Sequence, residues 1–498
     1  MKIKHLFCGA LVLIQSLAFG QPSPEPYANL ITPENLRENL EIIASDALEG
    51  RATGSRGQKM AAAFLRHTFQ EFGLEGPVAG DYYQYFTLYR STPGEVFIEA
   101  GGTQLKNFKD IIYYGQSNTD GVISTSAVFA GRGRPADFEK IDVEGKAVVI
   151  LAADGQDYRE GVSLARSKKA AAVMVVPTTS PEEFGNYAEQ FRAYLSNGQL
   201  SLEEPEPQSG NGGVFFLSPQ AAEKILGTTL SKLSEAAGSD AKRALKRIEG
   251  KISYKTTYTF ETVEAENVLG YLEGTDKKDE VIVITAHYDH IGKLTEGEGD
   301  LINNGADDDG SGTVAVIEMA RAFAQAKEDG NGPRRSILFL AVSGEENGLL
   351  GSEYYSENPI FPLAQTMVNL NIDMIGRRDP EHSDSDPYVY VIGSDKLSSE
   401  LHEVSEAVNK KYTNLIFDYT YNDENHPLRL YYRSDHWNFA RKNIPIIFYF
   451  DGLHEDYHKP SDEVDKIEFD LLTIRTKCVF YTAWELANRE RSIEPDKK

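Results

Sequence analysis

Apolar residues recur with two different periods along this 498-residue chain, and the stretches where each period holds predict its elements. TPENLRENLEIIASD, starting at Thr32, spaces its apolar positions as a helix does, with Thr32 placed to cap it and Pro33 at the first helical position. GQKMAAAFLRHTFQEFGL repeats that period and closes at Gly73. Residues 33–74 are therefore expected to be largely helical, with a Gly-rich turn segment, SDALEGRATGSRG, in between. From about 95 to 255 short β-like runs (SAVFAG, KAVVILAA, AAAVMVVP, GGVFFLS) alternate with helical pieces such as VSLARSKKA and PQAAEKILG, and QLSLEEPEPQSGNGG reads as a polar loop. From about 262 the apolar runs become near-continuous: VIVITAH (281–287), SILFLAV (336–342), MVNLNID (367–373), YVYVIG (388–393) and IPIIFYF (444–450). Such runs suit strands covered on both faces. Helical or loop segments separate them, SGTVAVIEMARAFAQA among them, so the predicted class is α/β: a mostly parallel mixed sheet flanked by helices.

In sheets of this kind ligands gather beyond the carboxyl ends of the strands. Read in order, those ends carry one kind of chemistry. VIVITAHYDH ends in His287 and Asp289, two apart and able to face one side of an extended chain. NNGADDDGSG brings Asp307, Asp308 and Asp309 ahead of a helix; SILFLAVSGEE ends in Glu345 and Glu346; MVNLNID ends in Asp373; and DGLHEDYHKPSD, after IPIIFYF, carries Tyr457 and His458. Each alone suits an ordinary cap or solvated turn. Together at one rim they need countercharge, and along the chain no Lys or Arg lies beside most of them. Two His and three carboxylates with no Cys suit zinc, with cobalt or manganese as substitutes.

Composition narrows the classes. With 41% hydrophobic and 10% aromatic residues the chain can build a full core, and its length allows two or three domains. A net charge of −25 argues against nucleic acid and anionic membrane as partners. MKIKHLFCGALVLIQSLAFG has the form of a secretory signal peptide over residues 1–20, so an exported protein, periplasmic or secreted, is expected, with no membrane span. Past that leader Cys478 stands alone, and an intrachain disulfide is not expected.

The order HYD, GADDDGSG, SGEE, NID and YHKPSD resembles the aminopeptidase Y group of the M28 zinc peptidases. SDALEGRATGS near the start is similar to secreted bacterial members, and SDHWNF at 434–439 also fits. The resemblance implies a zinc-exopeptidase-like fold and two zinc ions, one held by His287 and Asp373, the other by Glu346 and His458, with Asp308 bridging. It implies Asp289 as the carboxylate that orients His287 and Glu345 as general base. Tyr457 resembles an oxyanion-stabilising tyrosine of some relatives, while His290, Asp307, Asp309, Asp435 and His436 are expected to be structural or supporting. IDVEGKAVVILAADG and SLARSKKAAAVMVVP are similar to the core of a protease-associated (PA) domain. The expected organisation is the leader at 1–20, an N-terminal part of the peptidase domain at 21–95, an inserted PA-like module at 96–255 and the main catalytic part at 256–492.

The expected function is a zinc-dependent exopeptidase, an aminopeptidase acting on peptide substrates. A glutaminyl cyclase, which uses amine attack, and a glutamate carboxypeptidase are the enzymatic alternatives; the latter needs a basic patch that Arg429 or Arg433 can supply. A PA-type binding protein is the non-enzymatic one. DYTYN (418–422) and LYY (430–432) are candidate walls for a specificity pocket.

Overall fold

A computed structural model describes residues 23–115, 117–139, 141–152, 157–196, 198–204, 213–238, 248–294 and 298–497, so the expected leader lies outside the described residues. Its strands are β1 (Tyr83–Ala100), β2 (Thr103–Lys106), β3 (Ile111–Tyr114), β4 (Ile123–Phe129), β5 (Ala147–Leu151), β6 (Ala172–Val176), β7 (Gln199–Ser201), β8 (Val214–Leu217), β9 (Glu249–Leu272), β10 (Lys277–His287), β11 (Arg335–Val342), β12 (Thr366–Ile372), β13 (Tyr388–Ile392), β14 (Ile416–Asp418) and β15 (Ile446–Phe450). Every residue of β11, β12, β13 and β15 is buried, which is why these segments show continuous apolar runs instead of alternation.

The main sheet has the order β14-β13-β15-β12-β10-β11-β9. β10 lies parallel to β11 and β12, and β12 parallel to β15; β13 runs antiparallel to β15, and β9 antiparallel to β11. Register aligns the ends that matter. His287 sits opposite Val342, Thr285 opposite Asn371, and Ile372 opposite Tyr449. The residues that follow each strand therefore leave the sheet at one rim.

One apolar cluster lies on the face covered by the helices Gly312–Glu328 and Phe469–Asn488, where Phe323 stacks on Trp484 and Phe480 packs tilted against both. A second, containing Leu338, Leu340, Ile446 and Phe448, lies on the other face. Thr32 caps the helix Pro33–Ile43 as predicted, its Oγ1 accepting from the Asn35 N–H at 3.2 Å, and Ser55 caps the helix Arg56–Glu71.

β1 and β9 pair antiparallel from Tyr83–Val268 to Ala100–Ile252, forming a long ribbon with one irregularity between Pro93 and Val96. Its far end carries β4, β5, β6 and β8, with β3 at the edge. This part buries its own two clusters, Val149 and Met174 on one face and Val148 and Val175 on the other. The expected boundaries at 95/96 and 255/256 fall inside β1 and β9, so the two parts are joined by paired strands. Among the described residues no helix is long and apolar enough to cross a membrane, and Cys478 is a buried free thiol.

Removing the Thr32 cap tests the local reading of the first helix. Thr32→Ala is expected to lower unfolding stability by about 1 kcal/mol in a denaturant titration. An unchanged midpoint would show that the Pro33 turn holds without the side-chain bond.

Candidate metal centre

Six side chains from five different strand ends and loops meet at the rim. His287, the last residue of β10, is buried, and its Nε2 stands 3.3 Å from Asp308 Oδ1, 3.5 Å from Asp373 Oδ1 and 3.9 Å from Glu345 Oε2. His458 Nε2 lies 3.1 Å from Asp308 Oδ2 and 3.1 Å from Glu346 Oε2. Asp308 thus turns one oxygen to each histidine and sits at the middle of the group. The sequence-predicted residues His287, Asp308, Glu345, Glu346, Asp373 and His458 all come together here.

The donor set fits divalent cations. Among the described residues His287 Nε2 and Asp308 Oδ2 are buried without a hydrogen-bond partner. A buried imidazole nitrogen ringed by carboxylate oxygens at such distances, yet bonded to none, is the arrangement a cation between them would satisfy. Histidine nitrogen and carboxylate oxygen without thiolate match zinc and its neighbours in the first transition row.

The surrounding groups are spent on holding this set in place. Asp309 accepts from the backbone N–H of His287 (3.1 Å), Gly312 (3.0 Å) and Met374 (3.0 Å), so its oxygens are committed to the main chain. Asp307 accepts from Gly376 N–H at 2.7 Å, while Asp462 accepts from the N–H groups of Asp307 and Asp308 and fixes the loop between them. His290 Nδ1 is 2.6 Å from Glu346 Oε1, leaving the other Glu346 oxygen towards His458. The Nδ1 of His287 lies 3.1 Å from the carbonyl oxygen of Asp289 and 3.9 Å from its carboxylate. The nearer orienting contact is therefore main-chain. The Asp289 carboxylate instead accepts from Thr53 Oγ1 (2.6 Å) and Glu345 N–H (3.3 Å).

The adjacent glutamates are driven in opposite directions. Burial pushes the Glu345 carboxyl well above the usual range, and Asp373 and Glu346 add to it despite the opposing pull of His287. Burial also acts to raise Glu346, but His458 and the hydrogen bond from His290 outweigh it and hold it at about 2. Neighbours in sequence become one protonatable carboxyl and one fixed carboxylate. Asp435, buried and bonded to Ser352, is pushed up to about 7 by burial first. His436 is pushed down to about 3 by burial and rests on the Phe448 ring. Tyr457 stacks on the His458 ring at 3.9 Å, and burial, followed by the charges of Asp308 and Glu346, raises its hydroxyl.

The linear sequence suggests no cation beside these carboxylates, but the fold brings one. Arg51, from the Gly-rich turn, is fully buried. It donates to four carbonyls, those of Tyr288 (2.8 Å), Ile43 (2.6 Å), Asn304 (2.6 Å) and Gly305 (3.0 Å). Its charge acts on Asp289, Asp308 and Asp309. Gly50 beside it has φ +68°, and a Cβ there would stand 2.5 Å from the Asn303 oxygen, so this close approach requires glycine. Nothing in the periodicity of the chain marks Arg51 or Thr53; the EGRATGS motif is the one trace of them. The candidate pocket tyrosines mostly pack instead: Tyr419 and Tyr421 join the clusters on opposite faces of the sheet, and Tyr431 meets Trp437 edge to face.

Fold and cluster together define an α/β protein with a candidate metal centre at the carboxyl rim of its sheet. Residues 267–483 match the model of peptidase family M28. The chain is 28% identical over 247 residues to aminopeptidase YwaD of Bacillus subtilis, covering 48% of each chain. It is 27% identical over 404 residues to a probable glutamate carboxypeptidase, LAMP1, of Arabidopsis thaliana, covering 71% of this chain and 57% of that protein. The chain thus spans about half the length of these relatives. Among solved structures, an aminopeptidase from Aneurinibacillus sp. strain AM-1 superposes with a TM-score of 0.63 at 17% identity, covering 95% of this chain and 97% of that one. BSAP, a zinc aminopeptidase from Bacillus subtilis, gives 0.58 at 20% identity, covering 94% and 99%. At these identities the likeness to solved structures concerns the fold.

Arg51→Met removes four charge-assisted bonds while keeping much of the side-chain volume. It is expected to cost about 3 kcal/mol of unfolding stability, read by denaturant titration. An unchanged midpoint would mean that the four carbonyls find other donors and that Arg51 is not the staple of this turn.

Proposed function

We propose that this chain is a zinc-dependent aminopeptidase that removes N-terminal residues from peptides. The observation that carries the reading is the convergence of His287, Asp308, Glu346, Asp373 and His458 around unbonded, buried donor atoms. The match of residues 267–483 to peptidase family M28 and the similarity to aminopeptidase YwaD support it. In this reading His287 and Asp373 would hold one zinc ion and Glu346 and His458 a second, with Asp308, which turns one oxygen to each histidine, shared between them. Bound zinc supplies Lewis acidity, polarising a peptide carbonyl and acidifying water.

The rest falls to the chain's own groups. Glu345, whose carboxylate stands beside the group, takes the proton of the attacking water and passes it to the leaving amine. The Asp289 carboxylate fixes the Glu345 backbone through its N–H. Tyr457, held by its stack on His458, is the candidate donor to developing oxyanion charge. Residues 96–255 are read as a PA-like insertion and residues 1–20 as an export signal, placing the enzyme outside the cytoplasm.

A second reading, removal of C-terminal residues, is favoured by the similarity to the probable glutamate carboxypeptidase and by Arg433. That side chain is exposed, has no ion-pair partner among the described residues, and its charge reaches the Tyr457 hydroxyl. Peptides blocked at one terminus or the other separate the two. Cleavage that needs a free N-terminus supports the aminopeptidase, and cleavage that needs a free C-terminus replaces it.

Glu345→Gln is expected to keep bound zinc while kcat falls by about 10²–10⁴-fold on N-terminally free peptides. Near wild-type turnover would remove Glu345 from the role of general base.

A further inference from the structure

The Gly-rich turn ahead of the helix Arg56–Glu71 belongs to none of the strand ends that carry the centre, yet one of its side chains reaches both site loops. Thr53 is buried, 2% exposed. Its hydroxyl donates to Asp289 Oδ2 at 2.6 Å and accepts from Asn347 Nδ2 at 3.3 Å. Asp289 belongs to the loop after β10, which begins at His287, and Asn347 follows Glu345 and Glu346. The same Asp289 carboxylate accepts the Glu345 N–H at 3.3 Å through its other oxygen, while the Asp289 carbonyl faces His287 Nδ1 at 3.1 Å. One threonine hydroxyl thus ties the carboxylate shared by the two loops to the loop that follows the glutamate pair.

The threonine is itself held from three sides. Ala52 pairs with His290 as an isolated parallel bridge, and Arg51 is stapled as described. Arg90, on β1, donates to the Thr53 carbonyl at 3.1 Å and pairs with Glu261 of β9 at 3.0 Å. Gly54 follows with φ +74°, where a Cβ would stand 2.0 Å from Val263 Cγ1, so the turn presses against β9 immediately after Thr53. The hydroxyl has a fixed origin and two fixed partners, which is what a positioning group requires.

We propose that Thr53 is a positioning residue of the centre: by holding Asp289 against the loop 345–347, it sets where Glu345 and His287 stand relative to each other. A threonine in a turn can also be retained for the packing of its methyl group, which here faces Gly344. The two roles separate by substitution. Valine keeps the methyl and the shape and removes the hydroxyl; serine keeps the hydroxyl and removes the methyl.

The inference rests on the zinc aminopeptidase reading for its kinetic arm only. Zinc affinity of the full-length protein, measured by competition with a chromophoric chelator, needs no substrate. Thr53→Val is expected to weaken zinc binding about 10-fold or more and to lower kcat by a similar factor at nearly constant KM, while Thr53→Ser stays within about 3-fold of wild type in both. If the valine variant does not fold, as judged by circular dichroism, Thr53→Ala carries the same expectation. A valine or alanine variant with wild-type zinc affinity and kcat would overturn the assignment. So would a folded serine variant as impaired as the valine one, since packing would then be the role. A wild-type protein that binds zinc but cleaves no N-terminally free peptide would sink the aminopeptidase reading, and the chelator arm would still decide the role of Thr53.

Discussion

The structure depends on one electrostatic constraint: four carboxylates, those of Asp308, Glu345, Glu346 and Asp373, are crowded around the buried His287 and the more exposed His458. Burying like charges without compensation is among the most costly things a fold can do. Much of the surrounding architecture answers that cost. Asp309 and Asp462 accept backbone N–H groups through both oxygens and Asp307 through one, and Arg51 brings a buried positive charge to the rear of the cluster. The front keeps donor atoms that no protein group satisfies, His287 Nε2 and Asp308 Oδ2 among them.

The contrast between Glu345 and Glu346 shows how position converts identical residues into different tools. Glu346 is gripped by two histidines and held ionised. Glu345 faces the buried carboxylates and is driven towards its protonated form. Both follow the same buried strand, β11, and the turn after it aims them differently. A single strand end thus supplies one carboxyl driven towards protonation and one held ionised.

Much of this was legible in the sequence because buried parallel strands announce themselves. The runs at 281–287, 336–342, 367–373, 388–393 and 444–450 became β10, β11, β12, β13 and β15 within a few residues of their expected ends. Register then carried the polar residues just beyond them to one rim. The Thr32 cap was legible for the same local reason. What the sequence hid was contact across long separations. Arg51 bonds to carbonyls as far away as Gly305, and Thr53 reaches Asp289, with no periodicity to mark either. The β1–β9 ribbon was hidden too, because stretches such as EGKISYKTTYTFETVEAENVLGYL mix exposed and buried positions and became legible only once paired.

The central claim is that these side chains form a centre for two divalent ions. Its most direct test is the metal content of the purified protein after equilibration with zinc and removal of free metal, measured by inductively coupled plasma mass spectrometry. The account predicts two zinc ions per chain in the wild type and a loss of both sites' tight binding in Asp308→Ala, since that carboxylate faces both histidines. A wild-type chain that retains no stoichiometric zinc, or an Asp308→Ala chain that retains two, would contradict it.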